Sequence, residues 1–545
     1  MVAETRPADA DVLRGCAFVR PSRRSGRSPS RRRVAQGAAS GPDQEETWVS
    51  EPTKTDKILT GIPEFDMVLR GGLPRARLHL LEGAPGTGKT TIALQFLLKG
   101  LRDGKRGLYV TLSETETELR ASAKSHGWSL DGIGIFELVP LEAQLDRQQS
   151  VLYPSEVELG ETMRLITERI EAEKPDLVVI DSLSELRLLA QDQLRYRRQI
   201  LALKQFLQGR QCTTLALDDL TSQTGSMELH SLMHGVVSLE QIERSYGAAR
   251  RRLRIAKMRG SEYQSGWHDF AITPGNVLIF PSLIADEHKA EFEPTSVSSS
   301  LSGLDELMGG GLTRGTTTML VGPSGVGKSS IALQYVAAAV RRGEHAAYFS
   351  FDESFETLSL RSTALGIDIE EAVRKGELGW QRANPSRLSP GQFVWQVRRQ
   401  VEDQKARVVV IDSLNSYLST MPEEKALILQ MHELLTYLNN QGVVTILILA
   451  QQGIVGDIQN PVDLSFMSDT VVLLRFFEAA GQVRKAISVV KKRTGVHELA
   501  IREFRLFPDG MQIGPQLLEF QGVLTGVPSY DGSADPLLRG RSETG

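Results

Sequence analysis

The chain has 545 residues, of which 41% are hydrophobic and 24% are charged, and its 49 glycines follow no collagen-like period, so a fibrous protein is excluded. Its formal net charge is −4, from 63 basic and 67 acidic residues, which excludes a polycation built around nucleic acid. Two cysteines exclude a disulfide scaffold and no apolar run approaches the roughly 18 residues that cross a bilayer, so we expect a cytoplasmic protein without a membrane segment.

The first 45 residues are rich in arginine, serine, glycine and proline. Residues 12–42 contain eight arginines and no aspartate, glutamate or lysine. A segment of this composition buries little apolar surface, so we expect a disordered tail over residues 1–45. Such an arginine run is either a solvated tail or a nucleic-acid contact. If the protein binds nucleic acid at all, we expect the contact in this tail.

A glycine-rich loop follows, between a short apolar run and a helical pattern that begins at Thr91. Residues 83–90 satisfy G-x-x-x-x-G-K-[ST], the P-loop signature, whose glycines let backbone N–H groups surround phosphate oxygens at a helix N-terminus. Lys89 is then expected to reach the β- and γ-phosphates of a nucleotide, and the hydroxyl of Thr90 to bind Mg²⁺. The residues predicted to hold the nucleotide are Gly83, Ala84, Pro85, Gly86, Thr87, Gly88, Lys89, Thr90 and Thr91.

Two further apolar runs, residues 107–112 and 177–180, alternate with helical patterns, which predicts a parallel α/β sheet. Asp181 closes the second run, and an acid at the end of a buried strand is the usual second partner of Mg²⁺ in P-loop enzymes. Glu114 follows the first run. It is either a residue that orients or deprotonates the nucleophile, since parallel strands end at one crevice, or an ordinary solvated residue at the start of a helix.

Strands without intervening helices follow at residues 236–241 and 251–258, which predicts an antiparallel extension. The second of these strands contains Lys257, and Arg259 comes directly after it. Positive side chains at this place either stabilise the charge on a transferring phosphoryl group, often from a neighbouring subunit, or protect a solvated edge strand.

These features recur in order, which shows that the chain is a tandem duplication. The P-loop lysine recurs 239 residues later as Lys328, and the acid at the strand end recurs 231 residues later as Asp412. A serine-rich stretch near residues 285–300 is typical of a linker. We predict a first domain over residues 48–288, a second domain over residues 289–520 and a flexible C-terminal tail over residues 521–545.

The second copy contains the same candidate residues and one additional acid. Ser329 and Asp412 are expected to bind Mg²⁺. Where the first copy has the single acid Glu114, the second copy has two acids, Asp352 and Glu353. Basic residues again follow the antiparallel pair, as Lys491 and Arg493. The nucleotide-binding residues predicted for this copy are Gly322, Pro323, Ser324, Gly325, Val326, Gly327, Lys328, Ser329 and Ser330.

Together these motifs resemble the KaiC family, the circadian-clock ATPases and autokinases with their wider bacterial and archaeal relatives. The resemblance covers the chain from about residue 48 to residue 520. It rests on the duplicated P-loop unit, on GGLPR at residues 71–75, on KMRG at residues 257–260 with WH at residues 267–268, and on AIREF at residues 500–504. It implies an α/β protein of two tandem RecA-like P-loop domains, each a mainly parallel sheet flanked by helices with a small antiparallel C-terminal extension.

The resemblance also implies ligands, partners and roles. It implies ATP and Mg²⁺, and a homohexamer of two stacked rings with ATP between the subunits of each ring. The first member of the family's pair of catalytic glutamates is Ser113 in the first copy, so hydrolysis there depends on Glu114, because a serine cannot act as a carboxylate base. In the second copy it is Asp352, which shortens the reach of the acid by one methylene. The implied catalytic acids are Glu114, Asp352 and Glu353, and the implied contacts to the nucleotide of the adjacent subunit are Lys257, Arg259, Lys491 and Arg493.

Autokinase activity is a further expectation from the resemblance. The family's adjacent Ser-Thr phosphoacceptor pair matches Ser465 and Phe466, so we expect Ser465 to be the acceptor and no two-site phosphorylation cycle. The resemblance also suggests a regulatory protein at the C-terminal tail. Our main hypothesis is therefore a KaiC-like ATP-hydrolysing protein with Ser/Thr autokinase activity in the second domain, acting in nucleotide-dependent signalling or timing. The alternatives are a RecA-type DNA-binding motor or recombination accessory ATPase, and a structural hexamer stabilised by ATP.

Overall fold

The structure is a computed structural model, and the tails predicted at residues 1–45 and, for the most part, at residues 521–545 lie outside the residues it describes. Within the described part, no helix is long and apolar enough to cross a membrane. The described residues are 56–138, 155–190, 192–219, 226–244, 247–384, 386–418, 424–451, 465–479, 481–508, 510–525 and 529–530.

The first domain is a sheet with helices on both faces. Its strands are β1 (Lys57–Ile58), β2 (Leu73–Pro74), β3 (Leu78–Gly83), β4 (Gly107–Thr111), β5 (Ile133–Glu137), β6 (Leu177–Asp181), β7 (Thr213–Asp219), β8 (Gly235–Ile242), β9 (Arg250–Met258), β10 (His268–Thr273) and β11 (Asn276–Phe280). Its helices are α1 (Pro63–Val68), α2 (Lys89–Arg102), α3 (Glu116–Ser125), α4 (Ser155–Glu173), α5 (Leu183–Ala190), α6 (Gln193–Gly209) and α7 (Ser226–Leu232).

The second domain repeats this arrangement. Its strands are β12 (Ser296–Val297), β13 (Leu312–Thr313), β14 (Thr317–Gly322), β15 (Ala346–Ser350), β16 (Leu378–Arg382), β17 (Val408–Asp412), β18 (Val444–Ala450), β19 (Thr470–Ala479), β20 (Gln482–Lys492), β21 (Ile501–Phe507), β22 (Gly510–Gln516), β23 (Phe520–Gln521) and β24 (Ser529–Tyr530). Its helices are α8 (Ser302–Leu307), α9 (Lys328–Arg341), α10 (Phe355–Thr363), α11 (Ile369–Arg374), α12 (Pro390–Glu402), α13 (Leu414–Leu418) and α14 (Glu424–Asn440).

Each domain has one main sheet, which has nine strands within the described residues. The strand order is β11-β10-β9-β8-β3-β7-β6-β4-β5 in the first domain and β16-β15-β17-β18-β14-β19-β20-β21-β22 in the second. In the first domain, the six neighbouring strands β8, β3, β7, β6, β4 and β5 are parallel. The remaining strands, β9, β10 and β11, pair antiparallel at the other edge of the sheet. The fold class predicted from the sequence is confirmed. The antiparallel strands continue the main sheet, because β8 pairs in parallel with the P-loop strand β3.

The apolar runs of the parallel strands are buried because helices cover both faces of the sheet. On β6, Leu177 and Val179 pack in one hydrophobic core, together with α2, whereas Val178 and Ile180 pack in a second core with α4 and α6. This burial explains why the strand is continuously apolar instead of alternating. Each such side chain contributes about 1.5–3 kcal/mol when it is removed from water.

The two domains contact each other through the N-terminal end of α12. Gly391 N donates to Asp269 Oδ2 across 2.8 Å, and Arg250 Nε donates to Asp269 Oδ1 across 2.7 Å. Beside this bond the rings of Phe280 and Trp395 pack edge to face with centroids 5.6 Å apart. A buried carboxylate of the first domain therefore accepts the hydrogen bond of an orphan N–H at the start of a second-domain helix.

Candidate nucleotide-binding sites

Both P-loops connect the carboxyl end of a central strand to the first residue of a helix. The residue before that helix, Gly88 in the first domain and Gly327 in the second, has a φ of 103° and 115°. This left-handed region favours glycine. A Cβ atom at Gly88 would lie 2.5 Å from Ile272 Cδ1, and one at Gly327 would lie 2.9 Å from Phe504 Cζ. The backbone conformation thus favours glycine at both positions, and at Gly327 the buried ring of Phe504 also leaves little room for a Cβ atom.

The P-loop lysines point back into their own loops. Lys89 Nζ donates to Gly83 O across 2.9 Å and to Ala84 O across 3.0 Å. Lys328 Nζ makes the same two bonds in the second domain, at 2.8 and 2.7 Å. Burial lowers the pKa of Lys328 to about 8. Both ammonium groups are therefore held within a few ångströms of the backbone that is expected to surround phosphate.

The residues predicted to bind Mg²⁺ lie together in both domains. Thr90 Oγ1 lies 3.3 Å from Asp181 Oδ2, and Ser329 Oγ lies 2.7 Å from Asp412 Oδ2. Hydroxyl and carboxylate oxygens suit Mg²⁺, which usually takes one or two carboxylates and completes its shell with water and substrate phosphates. The described residues contain no cluster of three or more His, Cys, Asp or Glu that could hold a metal alone. The pairs therefore fit a Mg²⁺ ion that shares its shell with phosphate.

A buried tyrosine supports the acid of each pair, and sequence reasoning missed it. Tyr109 OH donates to Asp181 Oδ2 across 2.5 Å, and Tyr348 OH donates to Asp412 Oδ2 across 2.6 Å. Burial, with the charge of the aspartate, raises the pKa of both tyrosines well above its usual value, so the phenol stays a donor. The signal was present, because the two tyrosines are separated by the same 239 residues as the P-loop lysines.

Glu114 lies between the end of β4 and the start of α3. Thr111 Oγ1 donates to Glu114 O across 2.6 Å and accepts from Glu114 N across 3.0 Å, and Thr115 caps α3 in a capping box with Glu118. The local hydrogen bonds therefore fix the backbone from which the carboxylate extends. Burial raises the pKa of Glu114, and the nearby charge of Asp181 raises it further. Ser113 is exposed.

The second domain places two acids at this strand end. Ser350 Oγ makes the same pair of bonds to the backbone of Glu353, at 2.7 and 3.1 Å. The carboxylate of Asp352 accepts from Ser413 Oγ at 2.9 Å, directly after β17, and from Ser416 Oγ at 2.6 Å, within α13. The structure therefore brings Asp352 and Glu353 to the same crevice as the P-loop, as the parallel topology predicts.

A cavity of about 300 Å³ joins these groups in the second domain. The residues that line it include P-loop residues, the Mg²⁺ pair and both acids: Ser324, Gly325, Gly327, Lys328, Ser329, Ser330, Asp352, Glu353 and Asp412. Convergent charged and polar groups in one cavity are typical of a ligand site.

Lys257 and Arg259 lie far from the P-loop of their own domain. Lys257 on β9 pairs with Val236 on β8, and the register of β8 places Val236 beside Leu80 near the amino end of β3. The P-loop follows the carboxyl end of β3, so Lys257 lies at the opposite end of the sheet. Arg259 Nη2 donates to Ser231 O across 2.8 Å. Neither residue is brought to the phosphate loop of its own domain.

The second domain repeats this displacement. Lys491 on β20 pairs with Val471 on β19, which lies beside Met319 near the amino end of β14. Arg493 Nη1 forms an ion pair with Asp469 Oδ1 at 3.6 Å. The predicted phosphoacceptor Ser465 begins a 3₁₀ turn, Ser465–Met467, just before β19, and its side chain lies outside the described part.

Two other basic side chains, missed in the sequence, contact the P-loops directly. Arg251 Nη2 donates to Gly86 O across 3.4 Å, and Lys485 Nζ donates to Gly325 O across 3.2 Å. Each stands six positions before Lys257 or Lys491 in its copy. This repeated spacing of six residues could have identified the two basic residues from the sequence. The sequence did not show which members of the basic run face the loop, because this depends on the register of the strands.

Comparison with known proteins settles the family. The model of the family described as ATPase, KaiC, matches residues 58–284 and 297–517. The chain belongs to the KaiC family. Among curated relatives, a KaiC3 circadian clock protein from Synechocystis sp. is 26% identical over 88% of this chain and 96% of its own length. KaiC circadian clock oscillator proteins from Parathermosynechococcus lividus and Thermostichus vulcanus are 28% and 29% identical, over 90% and 87% of this chain and 91% and 92% of their own lengths.

Proposed function

We propose that this KaiC-family chain binds Mg·ATP in both domains, hydrolyses it, and uses the second domain to phosphorylate a serine of the same protein. The observation that carries the proposal is the second-domain cavity, where Lys328, Ser329, Asp412 and Glu353 face one space of about 300 Å³. The family is a family of ATPases. The proposal goes beyond this family description in two respects, which are autokinase activity and a role in nucleotide-dependent signalling or timing.

The chemistry follows from the places of these side chains. The P-loop N–H groups and Lys328 bind the β- and γ-phosphates at the start of α9. The Mg²⁺ ion that Ser329 and Asp412 would hold supplies positive charge against the phosphate oxygens. Glu353 takes the proton of the attacking oxygen, and its pKa, raised chiefly by burial, favours this role. The new oxygen–phosphorus bond forms as the bond from the γ-phosphorus to the bridging oxygen breaks, and ADP leaves.

The two domains are expected to contribute unequally to hydrolysis. In the first domain, Ser113 stands where the second domain has Asp352, so Glu114 is the acid that remains. The test is ATP turnover by the full chain with Lys89→Ala and Lys328→Ala made separately. We expect Lys328→Ala to remove most of the turnover and Lys89→Ala to remove less. Unchanged turnover in both variants would contradict hydrolysis at these sites.

Phosphorylation of the chain itself is tested by intact mass. After incubation with Mg·ATP, we expect the wild type to gain one phosphate, and Ser465→Ala or Glu353→Gln to gain none. Ser465→Thr is the matched control, because it keeps a hydroxyl at the same backbone position. Phosphate gain that survives Ser465→Ala would place the acceptor elsewhere, and no gain in the wild type would reject the autokinase.

A ring assembly explains why basic residues lie at the far end of each sheet. Lys257, Arg259, Lys491 and Arg493 can serve a nucleotide only from a neighbouring subunit, and we propose a homohexamer in the cytoplasm, with any regulatory protein at the C-terminal tail. Light scattering with and without Mg·ATP tests the assembly. Mixing Lys328→Ala and Lys491→Ala subunits tests the trans contact, because mixed rings would regain some intact sites. Turnover no higher than that of the separate variants would argue against it.

A further inference from the structure

Each hydroxyl–carboxylate pair has a tyrosine that reaches it from the hydrophobic core. Tyr109 on β4 is fully buried in the core that includes Ile92 of α2, and Tyr348 on β15 is fully buried in the core that includes Ile331 of α9. A phenylalanine would fill the same space without a polar atom, and a buried hydroxyl costs free energy unless it is hydrogen-bonded. Packing therefore accounts for the ring, and the hydrogen bond must account for the phenol oxygen.

The phenol shares one carboxylate oxygen with the P-loop hydroxyl. In the first domain, Tyr109 OH and Thr90 Oγ1 both donate to Asp181 Oδ2, at 2.5 and 3.3 Å. The second domain repeats this arrangement on Oδ2 of Asp412, with the phenol at 2.6 Å and the P-loop hydroxyl at 2.7 Å. Two donors that converge on one oxygen restrict the rotation of the carboxylate, so its orientation is set in both domains.

This orientation matters because the P-loop hydroxyl has only one hydrogen. A serine or threonine hydroxyl donates one hydrogen bond and has two lone pairs. When it donates to the aspartate, its lone pairs remain for Mg²⁺, which takes oxygen ligands. The phenol keeps the accepting oxygen in place, since close packing restricts the tyrosine ring. The tyrosine can therefore act on the ion through the aspartate and the hydroxyl.

The strand that carries the tyrosine also positions the proposed base. Two residues after Tyr109, the hydroxyl of Thr111 fixes the backbone of Glu114, and Ser350 makes the same bonds in the second domain. One buried strand in each domain thus holds the metal-binding aspartate and the catalytic acid in a fixed relation.

We propose that Tyr109 and Tyr348 are positioning residues for Mg²⁺, and that each orients the aspartate of its site through the phenol hydrogen bond. The inference rests on the proposed function, since it concerns the ion that accompanies ATP at these sites. Replacing a residue that hydrogen-bonds to a metal ligand typically lowers metal affinity by about 10–100-fold. Loss of the phenol oxygen should weaken the contribution of Mg²⁺ to nucleotide binding and leave the contribution of the P-loop itself.

The test compares nucleotide binding with and without Mg²⁺ in the full chain. Tyr348→Phe is made in the Lys89→Ala background and Tyr109→Phe in the Lys328→Ala background, so that each protein has one intact P-loop. Calorimetry gives the Kd of a non-hydrolysable ATP analogue in EDTA and at saturating Mg²⁺. We expect the Kd in EDTA to stay unchanged, and the factor by which Mg²⁺ lowers the Kd to fall by about tenfold or more. An unchanged factor in both variants would overturn the inference.

Two further variants separate positioning from a general effect on the fold. Tyr335→Phe removes a buried phenol from α9 in the same core and introduces the residue of the first copy, Phe96, so both Kd values should stay unchanged. In the Lys89→Ala background, Tyr348→Phe combined with Asp412→Ala should lose no more than Asp412→Ala alone, because the phenol acts through the aspartate.

The remaining outcomes distinguish the two levels of the proposal. Additive losses in the double variant, or a loss of affinity in EDTA as large as that with Mg²⁺, would contradict a positioning role and leave the ATP-binding function intact. No binding of the analogue by the Lys89→Ala and Lys328→Ala parents would reject the proposed function itself.

Discussion

Arg361 Nη2 lies 2.6 Å from Glu353 Oε2, so the acid proposed as the base of the second domain forms an ion pair within its own domain. Burial raises the pKa of Glu353, Arg361 opposes that shift, and the charge of Asp412 adds to it. The position that matches Arg361 in the first domain, 239 residues earlier, is Ser122. Glu353 therefore has the cation Arg361 beside it, whereas the matching position for Glu114 is a serine.

Exchanging this cation should move the pH dependence of ATP turnover. With Arg361→Ser, burial and Asp412 act on Glu353 without opposition, so its pKa rises and the acid limb of the pH–rate profile shifts to higher pH. The profile is measured in the Lys89→Ala background, which isolates the second domain. The matched variant Ser122→Arg, in the Lys328→Ala background, should shift the acid limb of the first domain to lower pH. An acid limb that moves in neither variant would show that these glutamates do not limit the rate.

From the sequence, the local motifs of the site could be predicted more completely than the contacts between distant residues. The P-loops, the hydroxyl–carboxylate pairs and the strand-end acids depend on neighbouring residues and on parallel strand order, so the sequence was sufficient to bring them together. The contact of Asp219 with Lys89 joins residues 130 positions apart and depends on the register of two strands. Arg251 and Arg361 belong to basic and helical stretches whose facing side chains are set by packing. The spacing of residues in the sequence does not by itself show which of these side chains face the site.

The domain contact at Asp269 should contribute measurably to stability. Its carboxylate is buried and accepts charge-assisted hydrogen bonds from Gly391 N and Arg250 Nε. Asp269→Ala removes both bonds, and we expect a loss of about 2–4 kcal/mol in the free energy of unfolding. Asp269→Asn keeps one acceptor oxygen and should lose less. Calorimetric melting of the three proteins checks this order. Equal melting temperatures would show that the contact contributes nothing.

Acid should destabilise the first domain through His79. This residue is fully buried on β3, with Nε2 2.8 Å from Pro74 O, and burial lowers its pKa from 6.5 to about 4. Between these values the unfolded chain binds more protons than the folded chain, so stability falls as pH falls from 6.5 towards 4. At pH 5 the loss from His79 is about 2 kcal/mol relative to pH 8.

Urea unfolding at pH 5 and pH 8 measures this loss. His79→Thr introduces the residue that the second copy has at the matching position, Thr318, and should reduce the difference between the two pH values by about 2 kcal/mol. Some acid sensitivity should remain, because burial also lowers the pKa of the neighbouring His234 to about 4. A pH difference that is the same in the wild type and in His79→Thr would show that His79 is not the titrating group.

Binding of ATP to the second domain should take up protons at mildly alkaline pH. Without nucleotide, burial lowers the pKa of Lys328 to about 8, so about half of the chains carry a neutral amine at pH 8. A phosphate beside Nζ favours the charged form and raises the pKa again. We therefore expect an uptake of about half a proton per second-domain site at pH 8, more at pH 8.5, and almost none at pH 6.5.

Calorimetry in buffers of different ionisation enthalpy measures this uptake as the slope of the observed enthalpy. The nucleotide is fully ionised at pH 8.5 and contributes little, which leaves the protein as the source. Lys328→Arg is the control, because a guanidinium stays charged at this pH and should give no uptake. The apparent Kd of the wild type should rise by up to about tenfold for each pH unit above 8, whereas that of Lys328→Arg should stay constant. Equal uptake in both proteins would assign the proton to another group and contradict the role of Lys328.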